Sequence, residues 1–214
     1  MAIKPILFNT EMVRAILDGR KDATRRIVKG FIPDDAVWGY TAFTPKGYIS
    51  CRGTFADGYG EKFFKLPCEP GDIMYVRETW CDDRQFTRED TPGRYFYKAS
   101  EEDGFTVKWH PSIHMPKEAA RIWLKVTDVK VERLQDITPK GAESEGVGNL
   151  FYDDIGYGEK NYGTEVDPEY GIAKEQFAWL WESTIKKSDI DRYGWDANPW
   201  VWVIEFERCE KPEE

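Results

Sequence analysis

The sequence predicts an α+β fold, namely a small mixed β-barrel flanked by about three helices, with loop insertions. Several short apolar segments have the length and alternation of strands, and only a few segments carry helical signals. Strands and helices do not alternate regularly, so a parallel βαβ sheet is not expected. Hydrophobic residues make up 41% of the 214 residues and aromatic residues 15%, which supplies a core and excludes wholesale disorder. We therefore expect a single domain over residues 1–214.

The N-terminal part of the chain is predicted to contain a short helix followed by a basic segment. Residues 10–19 place apolar side chains at helical spacing, where Thr10 can cap the helix and Gly19 can end it. Residues 20–29 carry five basic residues and one acidic residue, a local charge of +4 in a chain of net charge −9. The next segment, 30–66, is rich in glycine, proline and aromatic residues, which indicates short strands and loops.

The middle of the chain is predicted to contain buried strands and a second short helix. A proline-glycine-aspartate turn precedes residues 73–76, an apolar run typical of a buried strand. Residues 82–118 are polar and interrupted by prolines, and we interpret them as an insertion. Residues 120–134 are β-branched and partly alternating, which predicts one or two strands. Thr138 followed by proline is a helix-start signal, and Gly146 can stop that helix.

The C-terminal part is predicted to form a loop, a helix and a closing strand. Residues 148–172 hold five glycines, six acidic residues and four tyrosines, which indicates a long acidic loop. Residues 173–187 have one apolar face at helical spacing. In the segment from Trp200 to Phe206, large apolar side chains alternate, which predicts a strand with one buried face.

Composition excludes several classes of protein. A net charge of −9 does not fit a protein that coats nucleic acid, so either the ligand is small or the positive charge is concentrated locally. No apolar run reaches the roughly 18–20 residues of a membrane helix, and no signal peptide is recognisable, so we expect a cytoplasmic protein without a membrane partner. The four dispersed cysteines indicate reduced thiols. His110 and His114 do not accompany metal-binding cysteine pairs, and no metal or cofactor is expected.

Several motifs together resemble the ASCH domain family of the PUA-like superfamily. Gly19, Lys21, Thr24 and Arg26 form a G-x-K-x-x-T-x-R segment, and the later glycine-aspartate turn leads into the strand IMYVRE. VTDVKVERLQDIT, GAESEGV and WVWVIEFER continue the resemblance to the end of the chain, and WHPSIHMPKEAARIWLKV and NPWVWV are similar to the longer ASCH proteins carried by phages and prophages. The resemblance implies a PUA-like β-barrel with insertions near 30–66, 82–118 and 148–172.

The resemblance also implies recognition of a nucleobase or nucleic acid. Short bacterial members include amidohydrolases that remove the acetyl group from N4-acetylcytidine, others are reported as ribonucleases, and many are expected to bind RNA. In the amidohydrolase branch a lysine, a threonine and a downstream glutamate act together, and these fall on Lys21, Thr24 and Glu145 here. Glu143, two residues away, is the alternative glutamate.

The chemistry of amide hydrolysis explains why these residue types are needed. A threonine hydroxyl becomes a nucleophile when a base takes its proton, and a lysine is a base only when it is neutral. The neighbouring cations Arg20, Arg25 and Arg26 lower the pKa of Lys21, as burial would, and are candidate ligand-binding residues. In an extended segment Lys21 and Thr24 point to opposite faces, so a turn or bulge must bring them together.

Arg77 and Trp80 are further ligand-binding candidates with structural alternatives. Arg77 can form an in-sheet ion pair with Glu78, and Trp80 can stack on a base or pack in the core. Four functions stay open: a hydrolase of an acylated pyrimidine nucleoside, a non-catalytic RNA- or DNA-binding protein, a ribonuclease, and a phage-accessory interaction protein whose acidic loop mimics nucleic acid.

Overall fold

A computed structural model describes residues 1–82, 95–101, 107–147 and 168–213. Within these ranges the chain forms ten strands and four α-helices, so the predicted mixed α+β class is confirmed. The helices are α1 (Thr10–Leu17), α2 (Pro139–Ser144), α3 (Pro168–Thr184) and α4 (Ile190–Tyr193). The strands are β1 (Ile3–Leu7), β2 (Ala23–Ile27), β3 (Val37–Gly39), β4 (Tyr48–Phe55), β5 (Gly58–Lys65), β6 (Ile73–Arg77), β7 (Trp80–Asp82), β8 (Tyr95–Tyr97), β9 (Trp123–Arg133) and β10 (Trp200–Cys209).

The largest sheet has five strands in the order β1-β6-β9-β10-β2. The β1–β6 pair is parallel, and the other three pairs are antiparallel. Backbone pairing of the described strands does not close this sheet into a barrel. Its two edge strands nevertheless approach each other, because the Arg26 guanidinium on β2 donates to the Leu7 carbonyl oxygen at the end of β1 at 3.1 Å.

Residues 30–66, predicted as strands and loops, form a second sheet in the order β3-β4-β5. Its inner face packs on the large sheet through aromatic side chains. The ring centroid of Trp38 lies 5.7 Å from that of Trp200 and 6.2 Å from that of Trp202. A third sheet pairs β7 with β8, and of these two strands β8 lies within the region predicted as the 82–118 insertion.

The predicted strand at the C-terminus is correct in position but buried differently. β10 is a central strand, paired with β9 on one side and β2 on the other. Trp202 and Ile204 point into the main core, while Val201 packs into a second cluster that includes Phe177 of α3. The prediction of one buried face was therefore wrong, because α3 covers the face that was expected to meet solvent.

The helix ends follow local sequence signals. Asn9, not Thr10, caps α1, since its side chain accepts a hydrogen bond from the Met12 N–H at 2.8 Å, and Gly19 follows the helix with φ +74°. α3 begins at residue 168, earlier than predicted, and ends at residue 184. The remainder of the predicted acidic loop, 148–167, lies outside the described residues. No helix in the described ranges is long and apolar enough to cross a membrane.

Candidate functional site

The site forms where the segment leading into β2 meets the end of α2. Thr138 caps α2 as predicted, by accepting from the Gly141 N–H at 3.0 Å, and Glu145 follows the helix. Backbone pairing then joins Lys21 to Glu145 as an isolated antiparallel bridge. Gly146 has φ +92°, and a Cβ added there would lie 2.6 Å from the Ala15 Cβ. Only glycine fits this turn without rearrangement, so the turn fixes Glu145 beside Lys21.

The Lys21 side chain is buried and fully hydrogen bonded. Its Nζ donates to Glu145 Oε2 at 2.6 Å, to the Ala23 carbonyl oxygen at 2.8 Å and to the Glu145 carbonyl oxygen at 3.0 Å. Three acceptors match the three protons of an ammonium group. Burial lowers the pKa of Lys21 below its usual 10.5, the Glu145 carboxylate opposes that shift, and Arg26 and Arg25 add to it.

Thr24 contacts Arg26, and Arg26 and Lys21 both lie near the Phe8 ring. Thr24 is fully buried, and its hydroxyl oxygen accepts a hydrogen bond from Arg26 Nη1 at 2.7 Å. The Phe8 ring centroid lies 5.3 Å from Arg26 Cζ and 5.5 Å from Lys21 Nζ. Lys21 precedes β2, so the alternation of the strand does not separate it from Thr24. No hydrogen bond joins Lys21 to Thr24.

Glu145 links Lys21 to a second cation. Its other carboxylate oxygen, Oε1, accepts from Arg25 Nη1 at 3.2 Å. Arg25 also donates through Nε and Nη2 to Glu132 on β9, at 3.0 and 2.7 Å. The side chains of Lys21, Arg25 and Glu145 are each less than 5% exposed. The structure therefore connects two cations and two carboxylates, of which only Glu132, with its side chain 20% exposed, is partly accessible to solvent.

A cavity of about 520 Å³ opens beside this network. Its charged wall is formed by Arg25, Arg26 and Glu145, and its apolar wall includes Phe177 and Trp181 of α3. This volume and this mixture of apolar and polar lining are typical of small-ligand sites. Lys21 and Thr24 are not among the lining residues.

The other predicted ligand-binding residues lie outside the cavity lining. Arg20 donates to the Gly146 carbonyl oxygen at 2.7 Å and pairs with Asp18 at 2.9 Å, so it supports the turn that holds Glu145. Trp80 is 8% exposed and packs against His110, with ring centroids 5.1 Å apart. A ligand-binding role for Arg20 or Trp80 stays a prediction.

Arg77 does not pair with Glu78. Its Nη1 donates to the Ile113 carbonyl oxygen at 3.2 Å. The buried Glu78 carboxylate instead receives two hydrogen bonds of 2.9 Å from Arg121. The predicted in-sheet ion pair was therefore wrong, and a role for Arg77 in ligand binding stays a prediction.

Two features of the site were not predicted from the sequence. Phe8, which lies near both Lys21 and Arg26, directly follows β1 and carries no local signal of function. Phe177 and Trp181 were assigned to the buried face of a helix, but nothing in the helical pattern indicates that this face also lines a cavity. Among the described residues, no group of three or more histidine, cysteine, aspartate or glutamate side chains is arranged to hold a metal ion.

Neither the family models, nor the curated proteins, nor the solved structures contain a match to this chain. The functional assignment therefore depends on the geometry of the site and on the motifs quoted above.

Proposed function

We propose that the protein binds a nucleobase-containing ligand in the 520 Å³ cavity, and that it hydrolyses the acyl group of a modified pyrimidine nucleoside such as N4-acetylcytidine. The observation that carries this proposal is the contact of Lys21 with Glu145, a residue that lines a ligand-sized cavity. The proposal includes the ASCH family and a PUA-like barrel, which the approach of β1 to β2 at Arg26 supports.

The proposed reaction begins with a proton transfer inside the buried pair. Lys21 gives a proton to Glu145 across their 2.6 Å hydrogen bond, which leaves a neutral amine and a carboxylic acid. Burial favours this transfer because both products are uncharged. A side-chain movement must first expose the buried Thr24 to the cavity, and Thr24 Oγ then bonds to the acyl carbon while its proton passes to the Lys21 amine. This step requires an intervening water, since no hydrogen bond joins the two side chains.

The second half of the reaction releases both products. The carbon–nitrogen bond breaks, and the exocyclic nitrogen of the base takes the proton from Glu145, which restores the carboxylate. Water then hydrolyses the acyl ester on Thr24, which regenerates the hydroxyl and releases acetic acid, and this acid gives its proton to the solvent. The nucleoside has no phosphate, so the net charge of −9 does not oppose its binding.

A specific observation supports a second candidate, a non-catalytic binder of RNA or DNA. The three hydrogen bonds of Lys21 are those of a charged ammonium whose role is structural. The arginines of the basic segment 20–29, namely Arg20, Arg25 and Arg26, would then contact phosphates, while the cavity recognises a base. Phosphate contacts make affinity fall steeply with salt, which a nucleoside hydrolase does not share.

Incubation with N4-acetylcytidine, followed by chromatography, tests the first proposal. Wild type should release cytidine and acetate in equal amounts. Thr24→Val keeps the shape of the side chain but removes the hydroxyl, so the rate should fall by at least about a hundredfold. Lys29→Gln is the control, because Lys29 is exposed and lies outside the cavity lining.

Two outcomes would contradict the reaction. A Thr24→Val rate equal to that of wild type removes Thr24 as the nucleophile. If wild type releases no cytidine but binds an RNA oligonucleotide with a steep salt dependence, the second candidate replaces the first.

A further inference from the structure

Arg26 is the one cation of the site without a carboxylate partner among the described residues. Lys21 and Arg25 each pair with Glu145, but none of the ion pairs between described residues includes Arg26. The three oxygens that Arg26 contacts are all uncharged: the Thr24 hydroxyl at 2.7 Å and the carbonyls of Arg25 and Leu7 at 2.9 and 3.1 Å. Glu145 attracts the half-buried Arg26 guanidinium electrostatically, but no carboxylate among the described residues pairs with it directly.

Part of the donor capacity of Arg26 is also unused. A guanidinium has five N–H groups, and the three contacts above involve only Nη1 and Nη2. Nε and one N–H of Nη2 have no partner among the described residues. Elsewhere in the protein, Arg25 and Arg121 use their Nε and Nη2 groups together to bind a carboxylate. The same two groups are available on Arg26, which lines the cavity.

We propose that Arg26 forms an oxyanion-binding subsite, so that the ligand of the cavity carries a carboxylate or phosphate group. This inference rests on the proposed function only for the position of that group relative to the scissile bond. Arg26 Nη1 lies 2.7 Å from Thr24 Oγ. An oxyanion bound to the free N–H groups therefore lies within about 8 Å of the nucleophile, from two hydrogen-bond lengths and the width of a guanidinium.

This distance favours an acyl group that itself ends in a carboxylate. In a succinyl amide, for example, only two methylene groups separate the carboxylate from the carbonyl carbon that Thr24 would attack. The 5′-phosphate of a nucleotide is the other source of an oxyanion, but the ribose and base separate it from an acyl group on the exocyclic nitrogen. The preferred substrate class is therefore an amide of a dicarboxylic acid rather than a simple acetyl amide.

Binding of succinate tests the subsite without requiring turnover. Calorimetric titration at low ionic strength should show succinate binding to wild type, and Arg26→Gln should weaken it at least about tenfold. Lys29→Gln, which removes one positive charge from an exposed position outside the cavity, should bind succinate like wild type. If Arg26→Gln does not fold, Arg26→Lys replaces it in the test. This variant keeps the positive charge but loses the planar guanidinium, so it should bind succinate at least about threefold more weakly than wild type does.

Two further titrations distinguish a carboxylate from a phosphate as the group that Arg26 binds. Cytidine 5′-monophosphate and cytidine are titrated under the same conditions. Binding of the monophosphate that depends on Arg26, without binding of succinate, supports the subsite and assigns it to a phosphate. The subsite is overturned if neither anion binds wild type, or if Arg26→Gln binds both as well as Lys29→Gln does.

Hydrolysis separates this proposal from the proposed function. Wild type should cleave N4-succinylcytidine with a kcat/KM at least about tenfold above that for N4-acetylcytidine, and Arg26→Gln should abolish this preference. Arg26-dependent binding of succinate without hydrolysis of either nucleoside supports the subsite and refutes the hydrolase. Hydrolysis of N4-acetylcytidine without binding of either anion supports the hydrolase and refutes the oxyanion-binding subsite.

Discussion

Lys21→Met removes one partner of the buried ion pair and nearly preserves side-chain length. The Lys21 side chain is 0% exposed and that of Glu145 is 3% exposed, so solvent cannot replace the lost contact. Removing one partner of such a pair costs about 3–5 kcal/mol of unfolding free energy. Arg25 still contacts Glu145 at 3.2 Å, which places the expected loss near the lower end, at about 3 kcal/mol. For a chain of this size that loss lowers Tm by about 6–12 °C.

Urea denaturation of a double-mutant cycle measures the interaction itself. Glu145→Gln removes the anion that Lys21→Met leaves partly unpaired, so the double variant should lose less stability than the two single variants together. We expect a coupling energy of about 2 kcal/mol. The exposed pair of Lys125 and Glu207 is the matched control, and Lys125→Met should cost less than about 1 kcal/mol. Additive losses, with coupling below about 0.5 kcal/mol, would refute the assignment of a strong buried pair.

The difference in stability between wild type and Lys21→Met should change with pH in a definite direction. Burial lowers the pKa of Lys21 in the folded protein below the 10.5 of the unfolded chain. Between these two pKa values the unfolded state binds more protons, so stability rises with pH. The stability of wild type relative to Lys21→Met should therefore increase as the pH rises towards 10.5. Urea midpoints at pH 7, 8.5 and 10 measure the difference, and a constant or decreasing difference would contradict the lowered pKa.

Three further predictions concern other parts of the fold. In urea denaturation, Gly146→Ala should lower the free energy of unfolding by about 2–5 kcal/mol, because φ is left-handed and the added Cβ clashes with a neighbour. Gly58→Ala, where φ is +110° but the space is open, should lower it by only about 1–2 kcal/mol. Burial opposes a low pKa for Asp72, but hydrogen bonds from two backbone N–H groups and a lysine outweigh it, so the pKa lies below 3.8. The stability advantage of wild type over Asp72→Asn should be complete above pH 3.8 and decrease as the pH falls through the folded pKa, and a constant advantage from pH 5 to pH 2 would contradict this. Burial raises the pKa of Cys51 and Cys68 to about 11. Both thiols should therefore react with iodoacetamide at pH 8 only after the protein unfolds. Rapid labelling of the native protein would contradict this prediction, because it would show that the thiols are accessible.

Local sequence patterns predict the elements that support the site. The cap at Thr138 and the stop at Gly146 depend on backbone geometry within one short helix, so a short stretch of sequence contains the information. The same is true of the apolar run 73–76, which forms most of β6. The N-cap at Asn9 was missed because Thr10, the next residue, is also a good capping residue.

Contacts between distant charged residues cannot be predicted in this way. Lys21 and Glu145 are 124 positions apart, and Arg25 and Glu132 are 107 apart. No periodic pattern connects such positions, and the resemblance to the ASCH family supplied the first pair. The incorrect prediction of an ion pair between Arg77 and Glu78 has the same origin. Arg121, the actual partner of Glu78, lies 43 positions away, whereas Arg77 is its neighbour in the sequence.

The cost of burying the Lys21–Glu145 ion pair makes it possible to separate a role in stability from the proposed role in function. Removing ions from water costs several kcal/mol each, and a well-packed apolar pair is often as stable as a buried ion pair. A fold that needed only to close the turn at Gly146 could place apolar side chains at Lys21 and Glu145. The double variant Lys21→Met/Glu145→Leu separates the two explanations: near-normal stability with loss of ligand binding or hydrolysis indicates a functional pair. If stability falls by more than the loss in Lys21→Met alone, the pair is structural, and the cavity beside Arg26 must act without it.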